Sequence, residues 1–288
     1  MYKIVEKKIL APSIFMMRIL APRVAKSARP GQFIIIRMDE KGERVPLTVC
    51  DTDVENGTVT IVVQTLGCTT KAMEQYEEGD SFFDFVGPLG VPSELLEEDM
   101  ESLKNEKIMF ISGGVGAAPV YPQVKWLHNQ GIKADVIMGF KNKEMVILEE
   151  EMKEVADNVY VATDDGSYGF KGMVTNRLKS LVEEEGKKYD TVIAIGPMIM
   201  MKFVCKLTEE LGIKTVVSMN PIMVDGTGMC GACRITVDGE TKFACVDGPE
   251  FDGHKVNFDE ALKRTTMYKT EEVQKDSMQP GCRIGGNK

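Results

Sequence analysis

Lys107-Ile108-Met109-Phe110-Ile111-Ser112-Gly113-Gly114-Val115-Gly116-Ala117-Ala118-Pro119 is the stretch on which the fold turns. A short apolar run that stops at glycines and resumes on alanines reads as a buried strand, a tight loop and the first turn of a helix. Bare amides at a helix N-terminus hold a pyrophosphate, and glycine lets it come close. Gly113, Gly114, Gly116 and Ala117 are therefore candidate dinucleotide contacts. A Gly-x-Gly alone is weak, and its place in a first strand-loop-helix unit gives it weight.

Downstream the same rhythm repeats. Strand-like runs at 133–139, 159–163 and 191–196 alternate with helical stretches to about 129, from about 144, and over 174–185. Alternation of this length predicts a parallel, doubly wound sheet with its ligand at the carboxyl ends of the strands. Gly196-Pro197-Met198-Ile199-Met200-Met201 follows the last of those strands, so Gly196 and Pro197 fall beside the other half of a dinucleotide. The methionines read equally well as the apolar face of a helix.

Upstream, residues 2–96 carry shorter β-like runs at 14–19, 32–37, 58–64 and 82–86, cut by Pro12, Pro22, Pro30-Gly31, Asn56-Gly57, Gly79-Asp80 and Pro88-Leu89-Gly90. That punctuation predicts a small antiparallel barrel or sandwich. Within it, Arg44-Val45-Pro46-Leu47-Thr48 sets a phosphate-pairing guanidinium before apolar, backbone and hydroxyl groups that suit a flat ring. Gln64-Thr65-Leu66-Gly67-Cys68-Thr69-Thr70-Lys71 offers a glycine and hydroxyls ahead of a helix. The charged stretch 94–106 reads as solvated linker with a helical turn.

Past Val217 the alternation stops, and Asp225-x4-Cys230-x2-Cys233-x11-Cys245 follows. Plant-type 2Fe-2S sites use Cys-x4-Cys-x2-Cys and one distant Cys, because a tight small-residue loop must wrap two irons. Here the first position is Asp225, whose carboxylate is either an oxygen ligand or an Asx turn ahead of Gly226. Cys205 and Cys282 compete as fourth ligand, Cys205 lying at core-like helical spacing. Three thiolates and a carboxylate also suit zinc.

Composition narrows the field. With 43% apolar and 27% charged residues the chain forms a core, and 35 Lys plus Arg against 44 Asp plus Glu, a net charge of −9, argues against a nucleic-acid partner. Two histidines leave little room for histidine triads or multi-histidine metal sites. No apolar run is long enough to span a membrane, and residues 1–8 lack the apolar core of a secretory signal. With seven cysteines, an odd number, the expected setting is cytoplasmic and reducing.

Over about residues 1–250, a barrel with Arg-x-Pro-Leu-Thr, then Gly-Gly-x-Gly-x-Ala-Pro, Gly-Pro-x-x-Met-Met and an iron-sulfur loop resembles the ferredoxin-NADP reductase superfamily. Within it the chain is similar to the electron-transfer subunits related to that of dihydroorotate dehydrogenase B. Where that branch has Cys, Asp225 resembles the small subunits of NADH-dependent reduced ferredoxin:NADP oxidoreductases. The resemblance implies an antiparallel FAD-binding β-barrel domain (1–98), a Rossmann-like NAD-binding domain (99–218), a 2Fe-2S segment (219–258) and a C-terminal extension (259–288). It implies FAD contacts at Arg44, Pro46, Leu47, Thr48, Gly67, Thr69 and Thr70. NAD contacts fall at Gly113, Gly114, Gly116, Ala117, Asp164, Gly196 and Pro197, and cluster ligands at Asp225, Cys230, Cys233 and Cys245. Lys141 and Lys143 stand where a 2′-phosphate would invite cations, yet no arginine forks there, and the resemblance favours NAD(H) over NADP.

The implied activity is electron transfer between NAD(H), FAD and a 2Fe-2S cluster, inside a flavin-based electron-bifurcating NADPH/NAD/ferredoxin oxidoreductase. Hydride transfer between nicotinamide and flavin needs stacking more than acid-base groups, which suits so few histidines. A larger subunit with its own flavin and 4Fe-4S clusters completes the heterodimer and meets ferredoxin. The alternatives are the electron-transfer subunit of a dihydroorotate or sulfide dehydrogenase, and a non-catalytic redox or zinc module.

Overall fold

The computed structural model describes residues 1–271. Its first unit contains β1 (Tyr2–Ala11), β2 (Ile14–Leu20), β3 (Phe33–Arg37), β4 (Val45–Thr48), β5 (Asp51–Asp53), β6 (Thr58–Gln64), β7 (Ser81–Phe82) and β8 (Asp84–Leu89), with helices α1 (Pro22–Ser27) and α2 (Cys68–Glu74). Two antiparallel sheets, ordered β5-β6-β2-β1-β7 and β4-β3-β8, close on one core. Phe15, Met17 and Ile61 fill it from one side, Ile34, Ile36 and Phe85 from the other. The run at 82–86, expected as one strand, hands over between sheets: Phe82 pairs with Tyr2, Phe85 with Ile36. That corner is what makes the sandwich barrel-like.

The four consecutive apolar residues of β3 have two faces to bury. Ile34 and Ile36 point into the barrel, while Phe33 and Ile35 pack with residues of the following units. A strand covered on both sides has no polar alternation to show.

The second unit contains α3 (Met100–Asn105), β9 (Ile108–Gly113), α4 (Ala117–Asn129), β10 (Ala134–Phe140), α5 (Glu149–Val155), β11 (Asn158–Thr163), β12 (Phe170–Lys171), α6 (Val174–Lys179), β13 (Thr191–Ile195), α7 (Met198–Leu211) and β14 (Lys214–Ser218). The strands run parallel in the order β12-β11-β10-β9-β13-β14. The order reverses between β9 and β13, the switch point where doubly wound sheets bind ligands. Residues 94–106 are less solvated than their charge suggests. Leu95 and Leu103 are buried in the core of this unit, and Asp99 caps α3 by accepting from the amides of Glu101 and Ser102.

Two expected boundaries prove to be crossed by structure. After the hairpin β15 (Arg234–Val237) and β16 (Glu240–Phe243), β17 (Glu250–Asp252) pairs antiparallel with β14 and becomes the last strand of the parallel sheet. Helix α8 (Phe258–Arg264) spans the expected start of the C-terminal extension, and its Phe258 and Ala261 are buried in the common core. Lys202 on α7 pairs with Asp259, and Thr236 on β15 donates to Glu260, so this helix is fixed to the chain's own surface. Cys282 lies outside the described residues.

A sealed polar junction ties the units together. Glu250 of β17, Gln123 of α4 and Ser93, just past the barrel, are all buried. Gln123 Nε2 donates to Glu250 Oε1 at 2.6 Å, while Ser93 Oγ lies 2.8 Å from Glu250 Oε2 and 3.2 Å from Gln123 Oε1. Burial pushes the Glu250 carboxyl above its ordinary range, against the hydrogen bonds from Ser93 and Gln123. Ser93 and Gln123 close on the buried carboxyl and on each other in one hydrogen-bonded network.

Candidate flavin, dinucleotide and cluster sites

The barrel's part of the site is an edge. In the order β4-β3-β8, β4 is the outer strand, with Pro46 opposite Ile35 and Thr48 opposite Phe33. Proline fits an edge because its missing N–H costs no ladder bond there. Val45, Pro46, Leu47 and Thr48 are all half-buried; Val45 and Leu47 pack against the barrel core, and Pro46 and Thr48 alternate to the other face of the strand. Near it, a Cβ on Gly67 would touch nothing within 4 Å, and Gly67 has an ordinary extended backbone. No neighbouring atom of the chain requires glycine there, which fits close approach of a ligand. The hydroxyls beside it are engaged: Thr70 Oγ accepts from the amides of Leu66 and Gly67, and Thr69 donates to Glu43.

The dinucleotide candidates gather at the switch point. Gly113, Gly114, Gly116 and Ala117 end β9 and open α4, while Gly196 and Pro197 join β13 to α7, and β9 and β13 are hydrogen-bonded neighbours. A Cβ on Gly116 would collide with the Ile195 carbonyl, so this glycine lets the two loops close on each other. α7 has no side-chain cap, which leaves first-turn amides for an anion, whereas α4 continues from a 3-10 turn at Gly114–Gly116 whose carbonyls take the Ala117 amide. Asp164 follows β11, two strands from the switch point, and its amide donates to the Phe140 carbonyl. Lys143 lies 5.4 Å from the Tyr168 ring centroid, and its amide donates to Ser167 Oγ.

The cysteine loop brings its residues together in pairs. Cys233 and Cys245 are buried with their Sγ atoms 3.2 Å apart, and burial with the neighbouring thiol pushes Cys245 up to about 12. Such thiols keep their protons until a metal replaces them. Asp225 accepts from the Thr227 and Cys230 amides, each at 2.7 Å, and those amides hold its carboxyl below the usual range. The Asx-turn geometry is thus present, and a carboxylate with about four acceptor directions retains room for a cation. Cys230 is exposed, and its Sγ accepts from the Ala232 amide. Among the described residues no three His, Cys, Asp or Glu side chains form a ready single-ion cage. A loop offering two pairs suits a two-iron group, which takes two protein ligands per iron. Cys205 is buried in the core, where burial pushes it up to about 12, and it stands directly under Gly253.

The cysteine loop packs against the barrel sheet that carries β4. Gly226, at φ +75°, has no space for a side chain: a Cβ would lie 2.5 Å from Ile35 Cδ1 and 3.0 Å from Leu89 Cδ1. Arg44 reaches across to the cysteine loop. Its Nε donates to the Val224 carbonyl at 3.0 Å and its Nη2 to the Asp225 carbonyl at 3.1 Å. On the far side Arg264 Nη2 donates to the Ala232 carbonyl at 3.2 Å. Reading the sequence missed Arg264, since a lone arginine in a polar tail carries no signal of what it folds against.

Residues 110–206 match the oxidoreductase NAD-binding domain, and residues 220–257 match the iron-sulfur cluster binding domain of dihydroorotate dehydrogenase B. The chain is 66% identical over 272 residues to a Clostridium beijerinckii protein known as the uncharacterized protein in adh 3′ region, across 94% of this chain and 92% of that one. It is 48% identical over 270 residues to the Thermotoga maritima dihydroorotate dehydrogenase B (NAD(+)) electron transfer subunit homolog, again across 94% and 92%. A solved structure of an NADH-dependent reduced ferredoxin-NADP oxidoreductase, described for flavin-based electron bifurcation, has a chain 45% identical. It superposes with a TM-score of 0.88 over 96% of this chain and 97% of that one. Among the described residues no helix is long and apolar enough to cross a membrane. The barrel, the switch-point glycines and the cysteine loop thus occur together in a chain that belongs to the family of dihydroorotate dehydrogenase B electron-transfer subunits and their homologs.

Proposed function

We propose that this chain is the small subunit of a flavin-based electron-bifurcating oxidoreductase, carrying electrons between NAD(H), FAD and a 2Fe-2S cluster on behalf of a larger flavin and 4Fe-4S subunit. The observation that carries the reading is the seating of the Asp225 to Cys233 loop on the barrel edge, with Gly226 against Ile35 and Leu89. That contact, with the Arg44 bonds to Val224 and Asp225, supports a reading in which cluster and flavin are neighbours within one chain. The close likeness in sequence and shape to a chain of an electron-bifurcating complex favours this partner over a dihydroorotate-oxidising one. The Asp225 that replaces the first cysteine points the same way.

When bound, the flavin exchanges a hydride with nicotinamide and single electrons with the cluster. The chain's own residues bind and orient. Pro46, Leu47 and Thr48 offer the flavin an edge-strand surface, and Gly67 lets it approach. Gly114, with nothing of the chain within 4 Å of where a Cβ would stand, gives the dinucleotide pyrophosphate room at the start of α4, with Ala117 on the turn that follows, while Gly196 and Pro197 line its second half. Gly113 and Gly116 keep those two loops in contact, and Asp164 lies at the outer end of the cleft. Asp225 with Cys230, and Cys233 with Cys245, supply the two ligand pairs.

Anaerobic purification of the chain with whatever copurifies tests this. Flavin and iron absorbance, a larger partner identified by mass spectrometry, and NADPH-dependent reduction of NAD and ferredoxin are expected. A colourless, zinc-loaded protein overturns the reading, and a dihydroorotate-oxidising partner transfers the chain to the sister activity.

A further inference from the structure

The loop from Val224 to Cys233 has few means of holding its own shape. Gly226, Gly228 and Gly231 all have positive φ, and Cys230 is exposed. Its internal bonds centre on Asp225, which accepts from the Thr227 and Cys230 amides, with the Ala232 amide donating to the Cys230 sulfur. Fixing a glycine-rich backbone is entropically costly, so anchors from outside the loop matter more than usual. Two guanidiniums provide them. Arg44, from the chain just before β4, holds the carbonyls of Val224 and Asp225, 180 and 181 positions away. Arg264, at the end of α8, holds the carbonyl of Ala232, between the two cysteines of the Cys-x2-Cys turn. Arg264 Nε is buried and has no acceptor among the described residues, so this side chain has donor capacity to spare at the loop.

We propose that Arg44 and Arg264 are positioning residues that clamp the two arms of the ligand loop by its backbone carbonyls and place two positive charges beside the bound cluster. The inference rests on the cluster reading above. Its chemistry is that of a fork: a guanidinium fixes the direction of the carbonyls it holds, whereas a lysine or a glutamine in its place supplies fewer donors. A fixed cation near a cluster also favours the reduced, more negative state. Arg44 therefore has a role toward the cluster that is separate from any contact with flavin phosphate, and Arg264 has only the former.

The test uses the purified complex, with Arg264→Gln, Arg264→Lys and Arg44→Gln compared with wild type after saturation with added FAD. Three quantities are read: the low-temperature EPR spectrum of the reduced cluster, its midpoint potential, and the rate of iron loss to a ferrous chelator. Arg264→Gln is expected to keep full flavin content, alter the EPR line shape, lower the potential and speed iron loss several-fold. Arg264→Lys restores most of the potential and less of the line shape, because charge returns without the fork. Arg44→Gln moves the same three quantities even with its flavin site refilled. An iron-containing wild type whose spectrum, potential and iron-loss rate match those of all three variants overturns the clamp alone. A wild type without iron overturns the functional reading and the clamp with it.

Discussion

Two of the junctions between the three units of this chain are built on opposite principles. At the Ser93, Gln123 and Glu250 junction the three side chains are buried and hydrogen-bonded to one another. At the junction of Arg44, Asp225 and the cysteine loop, the groups are carbonyls, amides and thiols held by glycine backbone, with Cys230 open to solvent. The closed junction fixes how barrel, sheet and cluster segment meet. The open one keeps unspent donors and acceptors where cofactors belong. A chain that must pass electrons between sites needs both, because a small change of spacing matters and a satisfied site binds nothing.

Substitutions at the two junctions should therefore separate. The largest expected effect is at the open one: Cys230→Ala leaves an exposed position unchanged in packing yet should cut bound iron at least about tenfold, read by metal analysis of the purified chain. Next comes Glu250→Ala, which leaves Ser93 and Gln123 buried without their partner and opens a void. Chemical denaturation should show a loss of about 2–4 kcal/mol, while the iron and flavin content of folded protein stays at wild-type values. Arg44→Ala should weaken flavin retention roughly tenfold, read as FAD per chain after gel filtration. Unchanged stoichiometry removes Arg44 from the flavin site and leaves only its hold on the loop.

The smallest effect is a slope. Glu250 has a higher pKa folded than its ordinary 4.5, so the folded state binds its proton more tightly than the unfolded chain. Its contribution to stability is greatest below that ordinary value and falls as pH rises from there through the folded pKa. Glu250→Gln keeps a hydrogen-bonding side chain that does not titrate, and its stability profile should be flatter over the same interval. Equal slopes for the two proteins mean that folding leaves the Glu250 carboxyl unshifted.

The contrast between the junctions is also a contrast in legibility. The open one is written locally: Asp225 and Cys230 to Cys245 carry their spacing within one short stretch, as Gly113 to Ala117 and Gly196-Pro197 do at the switch point. The closed one is invisible in sequence, since Ser93, Gln123 and Glu250 are ordinary polar residues separated by 30 and 127 positions. The long strand β1 went unread for a related reason: its Lys- and Glu-rich outer positions mask the pattern that buries Ile4 and Ala11. Strand β17 could not be anticipated because it returns to the sheet after the whole cysteine segment has intervened. Asp225 lay between these extremes. Its position was legible, and its dual engagement with amides and with Arg44 through its carbonyl was not.

Asp225→Cys puts the central claim to its most direct test, through redox potentiometry of the cluster followed by EPR. If Asp225 is the oxygen ligand of a 2Fe-2S cluster seated on the flavin barrel, the variant keeps its cluster and the midpoint potential moves. A wild-type potential in the variant contradicts ligation by Asp225.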